Sequence, residues 1–423
     1  MKSVTRRDFV KGSVAAGVAL ALPFSRVRGS NDDLRAAVVG FNGQGGSHID
    51  KFHNTSGVRV AALCDVDEKV LSRKVEEFKK RKEKVDTYID YRKMLEDKSI
   101  DIVSIATPDH QHVPVAAHSV VADKDVYVEK PVSHTISEGR LLVNLARKHR
   151  RIVQHGTQSR SLEGLMDAME YMKSGELGKI RMAKAINSQR RDKIGRKPDI
   201  PTPPHVHYDL WLGPAPKRPF NVNRYHYKWH WWWDYGTGDT GNDGIHQIDI
   251  ARWGLGVGLP DAVTCSGGQL WYDDDHETPD TQVATFEYED VYLMYEMRLW
   301  TPYPHEGHDN GNVFYGDNGK MSIGRSGWQV TFKDGKKGPG GSRGGGSHIA
   351  NFIKAVRSRK VSDLTADVEV GHCSAALCHM ANIAMRIGRR LRFDTKGERF
   401  IDDAEASAYL TKEYRKGFEL PTL

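Results

Sequence analysis

A glycine-rich turn, Gly40-Phe41-Asn42-Gly43-Gln44-Gly45, follows the apolar run Leu34–Gly40 and opens a helical stretch. A second apolar run, Val58–Cys64, ends at Asp65, 25 positions after Gly40. Strand, glycine-rich turn, helix, strand and terminal acid is the dinucleotide-binding arrangement. The glycines let the backbone approach a pyrophosphate, which sits at the helix amino terminus where unpaired N–H groups point outward. The acid ending the second strand takes the adenosine ribose hydroxyls and repels a 2′-phosphate, which favours NAD over NADP. Gly40 and Gly45 hold the first and third glycine places. Asn42 stands in the second, with Gly43 and Gly46 beside it.

Further polar residues gather where strands should end. Ile100–Thr107 runs into Pro108-Asp109-His110-Gln111-His112, Asp125–Val128 into Glu129-Lys130-Pro131, and Arg151–Gln154 into a turn reaching Gln158. Helical stretches at Val113–Ala122 and Ser137–His149 alternate with these runs, which predicts a doubly wound parallel sheet. Ligands of such sheets lie beyond the carboxyl ends of the strands. Gly40, Asn42, Gly43, Gln44, Gly45, Asp65, Thr107, Pro108, His112, Glu129, Lys130 and Gln158 are therefore the expected cofactor contacts.

The pattern changes at Lys179. Alternating runs over Lys179–Gln189, Asp261–Trp271, Asp280–Tyr288, Val291–Leu299, Met321–Ile323 and Trp328–Phe332 predict a mostly antiparallel sheet with one face against helices. The fold class is thus α/β: a Rossmann-type domain over residues 31–155, then an α+β domain with a large open sheet and carboxy-terminal helices over 156–423. A long insertion, residues 190–260, is of a length that usually serves function. Within it Arg224–Tyr235 (RYHYKWHWWWDY) is densely aromatic. Aromatic faces stack on the C–H faces of pyranose rings, so Trp229, Trp231 and Tyr235 are expected to contact substrate. A hydrophobic plug under the insertion is the competing reading, and both roles are expected among these rings.

The TPDHQH loop, the EKP tripeptide at Glu129-Lys130-Pro131 and the later GIHQIDIARW together resemble the Gfo/Idh/MocA family. The resemblance covers nearly all the chain after residue 33. It implies NAD(P)-dependent chemistry on sugars, cyclitols or their glycosides, and oligomerisation through the open sheet. It also implies that Lys130 lies between cofactor and substrate, and that His246 is the general base, a neutral imidazole taking the hydroxyl proton. The family places an Asp four residues before that His. Here the position is Asn242, with Asp243 and Asp239 close by, which suggests altered substrate or chemistry. Asp243 is a substrate-contact candidate, and Asp249, on the helical face of His246, could orient it.

Composition removes other classes. Hydrophobic residues make up 39% and charged residues 28% of 423, enough apolar mass for sizeable cores and against wholesale disorder. Of the net charge of +7, a net +5 lies in the first thirty residues, so no basic patch of the nucleic-acid kind remains. The lysine-rich run Arg73–Lys84 reads as a solvated helix face. Four cysteines cannot make a disulfide scaffold. His372, Cys373, Cys378 and His379 belong to a buried helix rather than a metal site, and no metal is expected. Gly335–Gly346 reads as a flexible surface loop and Phe400–Leu423 as a docked helix and strap.

Thr5-Arg6-Arg7-Asp8-Phe9-Val10-Lys11 matches the twin-arginine export pattern, and Gly12–Leu22 is too short to span a bilayer. Residues 1–30 are thus an export segment, removed or retained as an anchor, and the protein is expected to work outside the cytoplasm, in the periplasm or beyond. No pool of oxidised NAD exists there, so a tightly held cofactor must be regenerated in place. Two chemistries satisfy this. One is a dehydrogenase passing hydride to a second acceptor. The other is a redox-neutral glycosidase that oxidises, eliminates, adds water and reduces. A non-catalytic exported sugar-binding protein is the remaining alternative.

Overall fold

The computed structural model describes residues 32–301 and 303–423. The export segment expected at residues 1–30 lies outside them.

Six short strands form the first sheet: β1 (Leu34–Val39), β2 (Val58–Cys64), β3 (Asp86–Tyr88), β4 (Ile102–Ile105), β5 (Asp125–Val128) and β6 (Val153–His155). Their order is β3-β2-β1-β4-β5-β6 and every pairing is parallel. This is the expected Rossmann-type sheet. The chain winds outward in both directions from β1 and β4, which opens a crevice between them at the carboxyl edge. β4 and β5 are buried along their whole length, which is why they read as unbroken apolar runs.

The crossover helices are α1 (Gln44–His53), α2 (Glu68–Lys80), α3 (Asp109–Val121) and α4 (Ile136–Lys148). Asp67 caps α2 by accepting from the Lys69 and Val70 N–H groups. Thr135 and Glu138 make a capping box for α4. The structure starts α3 four residues before the expected Val113, directly after Pro108. Its polar first turn, Asp109 to His112, is buried against other elements rather than solvated.

The second domain contributes α5 (Glu163–Lys173), β7 (Ile180–Asn187), α6 (Ile245–Leu255), β8 (Ala262–Gly268), β9 (Thr281–Glu287) and β10 (Tyr292–Arg298). It continues with β11 (Asn310–Gly316), β12 (Gly319–Ile323), β13 (Gly327–Phe332), β14 (Lys337–Ser342), α7 (His348–Ser358), α8 (Val368–Ile387), β15 (Leu391–Asp394) and β16 (Arg399–Phe400). The ten strands pair in the order β14-β13-β12-β11-β7-β10-β9-β8-β15-β16. Only β7 with β10 is parallel, so the sheet is mostly antiparallel as expected. Ala183, Ala284, Phe286, Leu293 and Tyr295 face the core, while Val283 and Tyr292 face outward.

Two features depart from the sequence reading. The glycine-rich stretch after Gly335 is not a flexible loop. It forms β14, hydrogen-bonded to β13 at the sheet edge. Glycines leave no side-chain alternation to read, and backbone hydrogen bonds make the strand. The second feature concerns α7, which follows residue 156 yet packs on the first sheet. Its Ile349, Phe352, Ile353 and Val356 share one core with Ala36, Val38, Ile49 and Tyr127. The dinucleotide layer therefore borrows a helix from the far end of the chain. α8 is buried along most of its length against β8 and α4. Its His372 pairs with Glu398 at 2.9 Å, and all four cysteines are free.

Candidate active site

A cleft of about 520 Å³ runs along the carboxyl edge of the first sheet and under the 190–260 insertion. Its first half is lined by the turns after β1, β2 and β4. Gly40 leaves β1 with φ of +74°, and a Cβ there would stand 3.0 Å from the Ala106 carbonyl oxygen. Gly45 does not line the cleft. It lies behind the turn, where a Cβ would stand 2.0 Å from the Gly40 carbonyl oxygen. These two glycines bring α1 hard against β1. The start of α1 then meets the cleft with Gly43 and Gln44, and no side chain caps it. Uncapped N–H groups at a helix amino terminus suit a pyrophosphate. The residues present therefore fit a dinucleotide.

Asp65 follows β2 and lines the same half. It accepts from the Phe41 N–H at 3.0 Å and the Asp67 N–H at 3.0 Å, so the acid is locked beneath the glycine-rich turn. Burial pushes its carboxyl up to about 6, against the pull of those two hydrogen bonds. Thr107 and Pro108 line the cleft after β4. His112 ties two turns together, its ring nitrogens 2.6 Å from the Pro131 carbonyl and 2.9 Å from that of Thr107.

Glu129 and Lys130 follow β5. The Glu129 carboxylate lies 3.0 Å from His48 Nε2 and accepts from the Lys130 N–H at 3.2 Å. His48 is fixed in turn by Ser104, 2.9 Å from Nδ1. Burial alone would raise the Glu129 carboxyl. The His48 hydrogen bond and the Lys130 charge instead hold it well below the usual carboxylate range. A fixed anion thus anchors the turn that presents Lys130. The Lys130–Pro131 peptide is cis.

The Lys130 ammonium reaches into the second half of the cleft. It donates to the Asn242 carbonyl at 2.8 Å and to Asn242 Oδ1 at 3.0 Å. An ammonium has three donors, so one is left for a ligand oxygen. Thr240–Gly244 forms a π-helical turn ahead of α6, of a kind frequent at functional sites. This turn seats Asp239 against Asn242, whose Nδ2 donates to Asp239 Oδ1 at 2.9 Å. Asp239 is fully buried, also accepts from Asn187 at 2.9 Å, and pairs with Arg191 at 3.0 Å. Burial raises its carboxyl above the ordinary value although Arg191 opposes this. Asp243 lines the cleft and pairs with the same Arg191 and with Gln189.

His246 lines the cleft in the first turn of α6, and its Nδ1 is buried with no hydrogen-bond partner. Burial, with the Lys130 charge behind it, lowers its pKa below the usual histidine value. The imidazole is therefore neutral and able to accept a proton at neutral pH. Gln158 and Trp229 also line this half, and Trp229 stacks on His230 with ring centroids 3.6 Å apart.

Besides Gly45, three expected contacts are corrected. The Asp249 carboxylate is engaged by Arg160 and Ser374 rather than by His246. It is fully buried, with Arg160 at 2.8 Å and Ser374 Oγ at 2.7 Å. Arg160 holds the Asp249 carboxyl below its ordinary value despite the burial, so this pair is a structural one. Trp231 and Tyr235 are buried in the core rather than exposed to the cleft. Trp231 packs on His276 with centroids 5.2 Å apart, and Tyr235 on Trp211 at 4.8 Å. His226–Trp231 is a 3₁₀ helix. At three residues per turn Lys228 and Trp231 share the face turned from the cleft.

Other lining residues carried no usable signal. Tyr227 sits in the aromatic run, but its exposure to the cleft depends on the 3₁₀ turn. Ile89, Asp90 and Tyr91 follow β3, a strand of three residues too short to read. Phe418 comes from the carboxy-terminal strap. Arg92 and Arg415 lie over its ring at 5.0 and 4.6 Å, and Arg92 donates to the Gly417 carbonyl at 3.1 Å. Among the described residues no cluster of three or more metal-ligating side chains occurs, and no helix is long and apolar enough to cross a membrane.

A dinucleotide cradle, a buried acid at the end of β2, and a lysine and neutral histidine beyond them fit a nicotinamide-dependent oxidoreductase. Residues 34–157 match the oxidoreductase family, NAD-binding Rossmann fold, and residues 192–420 its C-terminal alpha/beta domain. The chain belongs to the Gfo/Idh/MocA family of oxidoreductases, and its first domain is an NAD-binding one. It is 29% identical to the inositol 2-dehydrogenase of Salmonella typhimurium over 179 residues, 42% of this chain and 51% of that protein. It is also 29% identical to the alpha-N-acetylgalactosaminidase of Shewanella oneidensis over 174 residues, 35% of this chain and 38% of that protein. The chain thus spans about half the length of the first relative and less of the second. The WlbA dehydrogenase from Bordetella pertussis, solved with NADH and UDP-GlcNAcA, shares the fold at a TM-score of 0.65 and 18% identity. That likeness covers 86% of this chain and 99% of its counterpart.

Proposed function

We propose that the protein is an exported oxidoreductase that uses a tightly held NAD to oxidise a hydroxyl of a sugar, cyclitol or glycoside. The observation that carries this is the meeting of Lys130, Asn242 and His246 at the end of the nucleotide cleft. Bound NAD supplies the hydride acceptor. His246, a cleft-lining imidazole, takes the hydroxyl proton, and Lys130 donates its remaining N–H to the reacting oxygen. Asn242 holds the ammonium in place through two contacts, at 2.8 and 3.0 Å. Trp229 and Tyr227 offer apolar walls for a ring substrate.

The twin-arginine pattern at Thr5–Lys11 supports work outside the cytoplasm. With no external pool of oxidised cofactor, the NAD must be regenerated where it sits. A second reading, a redox-neutral NAD-dependent glycoside hydrolase, is favoured by the match to the Shewanella alpha-N-acetylgalactosaminidase. Self-association through the open face of the ten-stranded sheet is part of the proposal, and Val283 and Tyr292 stand 45% and 48% exposed there.

The test is reduced-nicotinamide absorbance of the protein carrying its own cofactor, mixed with a glycoside panel and no added NAD. A lasting rise on one sugar supports the dehydrogenase. Released aglycone with no lasting rise supports the hydrolase. Sugar binding by a protein that takes up no NAD would overturn both and leave a binding protein.

A further inference from the structure

The second place of the glycine-rich turn carries a side chain, Asn42, where the dinucleotide motif has glycine. Both ends of that side chain are engaged. Arg73 Nη2 on α2 donates to Asn42 Oδ1 at 2.9 Å, and Asn42 Nδ2 lies 2.9 Å from His226 Nδ1. An amide nitrogen only donates, so His226 Nδ1 is the acceptor and the ring proton sits on Nε2. That nitrogen lies 3.4 Å from the Asp67 carboxylate, to which the Tyr225 hydroxyl also donates at 3.3 Å.

His226 adopts φ of 51°, uncommon for a residue other than glycine and sustained only where the surroundings fix it. It belongs to the insertion, 184 positions along the chain from Asn42. The insertion is also tied to the segment after β2. The Glu68 N–H donates to the His205 carbonyl and the His207 N–H to that of Val66, each at 2.9 Å. Asn42, Asp65, Tyr225 and His226 all line the cleft.

We infer that Asn42 and His226 form a clasp over the nucleotide half of the cleft, braced by Arg73, which retards release of bound NAD. This rests on the reading that NAD is held through turnover. A glycine at position 42 would leave the turn open, and the side chain trades close backbone approach for retention. His226 acts here as a positioning residue, not a catalytic one.

The experiment follows exchange of bound NAD for radiolabelled NAD in the full-length protein, in wild type, Asn42→Gly, His226→Ala, His226→Gln and the Asn42→Gly/His226→Ala double variant. Exchange at least tenfold faster in either truncation is the expected result. The double variant should be no faster than the singles, and His226→Gln, which keeps an acceptor, should restore slow exchange. Wild-type exchange rates in every variant, with NAD retained, would overturn the clasp and leave the tightly held cofactor standing. Rapid exchange in the wild type would overturn both. Thermal unfolding of each variant without NAD separates loss of the clasp from loss of the fold.

Discussion

Lys130 donates to the carbonyl and to the side-chain oxygen of Asn242, 112 positions away, at 2.8 and 3.0 Å. The two domains thus meet at the reacting end of the cleft through one residue from each. An ammonium held this way needs no reorganisation when a ligand oxygen enters.

Lys130→Ala should lower kcat by about 10² to 10⁴, the range for a positioned acid or base. The purified variant should still carry NAD, because the glycine-rich turn and Asp65 lie in the other half of the cleft. Steady-state kinetics alongside cofactor quantitation checks both. Unaltered turnover would remove Lys130 from the mechanism.

Asn242→Asp would restore the acid typical of the family but set it against buried Asp239. The Asn242 amide that now donates to Asp239 would be lost, and two carboxylates would share one site, which raises at least one pKa. A carboxyl raised in the folded state contributes stability at low pH and loses it as pH rises. The variant should therefore melt close to wild type near pH 5 and progressively lower towards pH 8. Melting curves across that range decide it, and a constant difference would count against the Asp239 contact.

His246 bears on the pH profile. Burial and the Lys130 charge lower its pKa, so the base form persists below the usual histidine range. The acid limb of kcat/KM should fall below about pH 6.5, the unperturbed histidine value, and vanish in His246→Gln along with most turnover. A limb above that value would assign it to another group.

NAD binding should weaken on acidification. Burial pushes the Asp65 carboxyl up to about 6, and its charged form is the stronger acceptor for a ribose hydroxyl. Affinity measured by fluorescence titration should drop as pH falls through 6, and Asp65→Ala should bind about tenfold or more weakly with no such drop, the loss of a charge-assisted hydrogen bond. Equal affinities would rule out the ribose contact.

Asp249→Ala tests the corrected role of that residue. Removing one partner of a buried pair leaves Arg160 uncompensated and should cost about 3–5 kcal/mol, read by denaturant unfolding. In the wild type this carboxyl is depressed in the folded state. Its contribution is therefore present above the unfolded pKa and is lost as pH falls through the folded one. The protein that remains folded should keep its KM.

The parallel sheet was legible because β4 and β5 are buried throughout, so each is an apolar run ending in polar residues at the strand's carboxyl edge. The cradle was legible for a related reason: close approach at Gly40 and Gly45 admits only glycine, and the sequence records that. Lys130, Asn242 and His246 were found through motifs whose meaning is local. The aromatic run was not legible residue by residue. A 3₁₀ period sends Trp231 inward and leaves Tyr227 and Trp229 at the cleft, and nothing in an unbroken aromatic string marks that period. Asp249 shared a helical spacing with His246, yet spacing alone does not reveal Arg160 waiting on the other side. β14 lacked side chains to alternate. The Asn42–His226 contact, α7 on the first sheet and Phe418 in the cleft join residues far apart in the chain. Which distant segments pack together is decided by the fit of whole surfaces, and only the tertiary structure contains it.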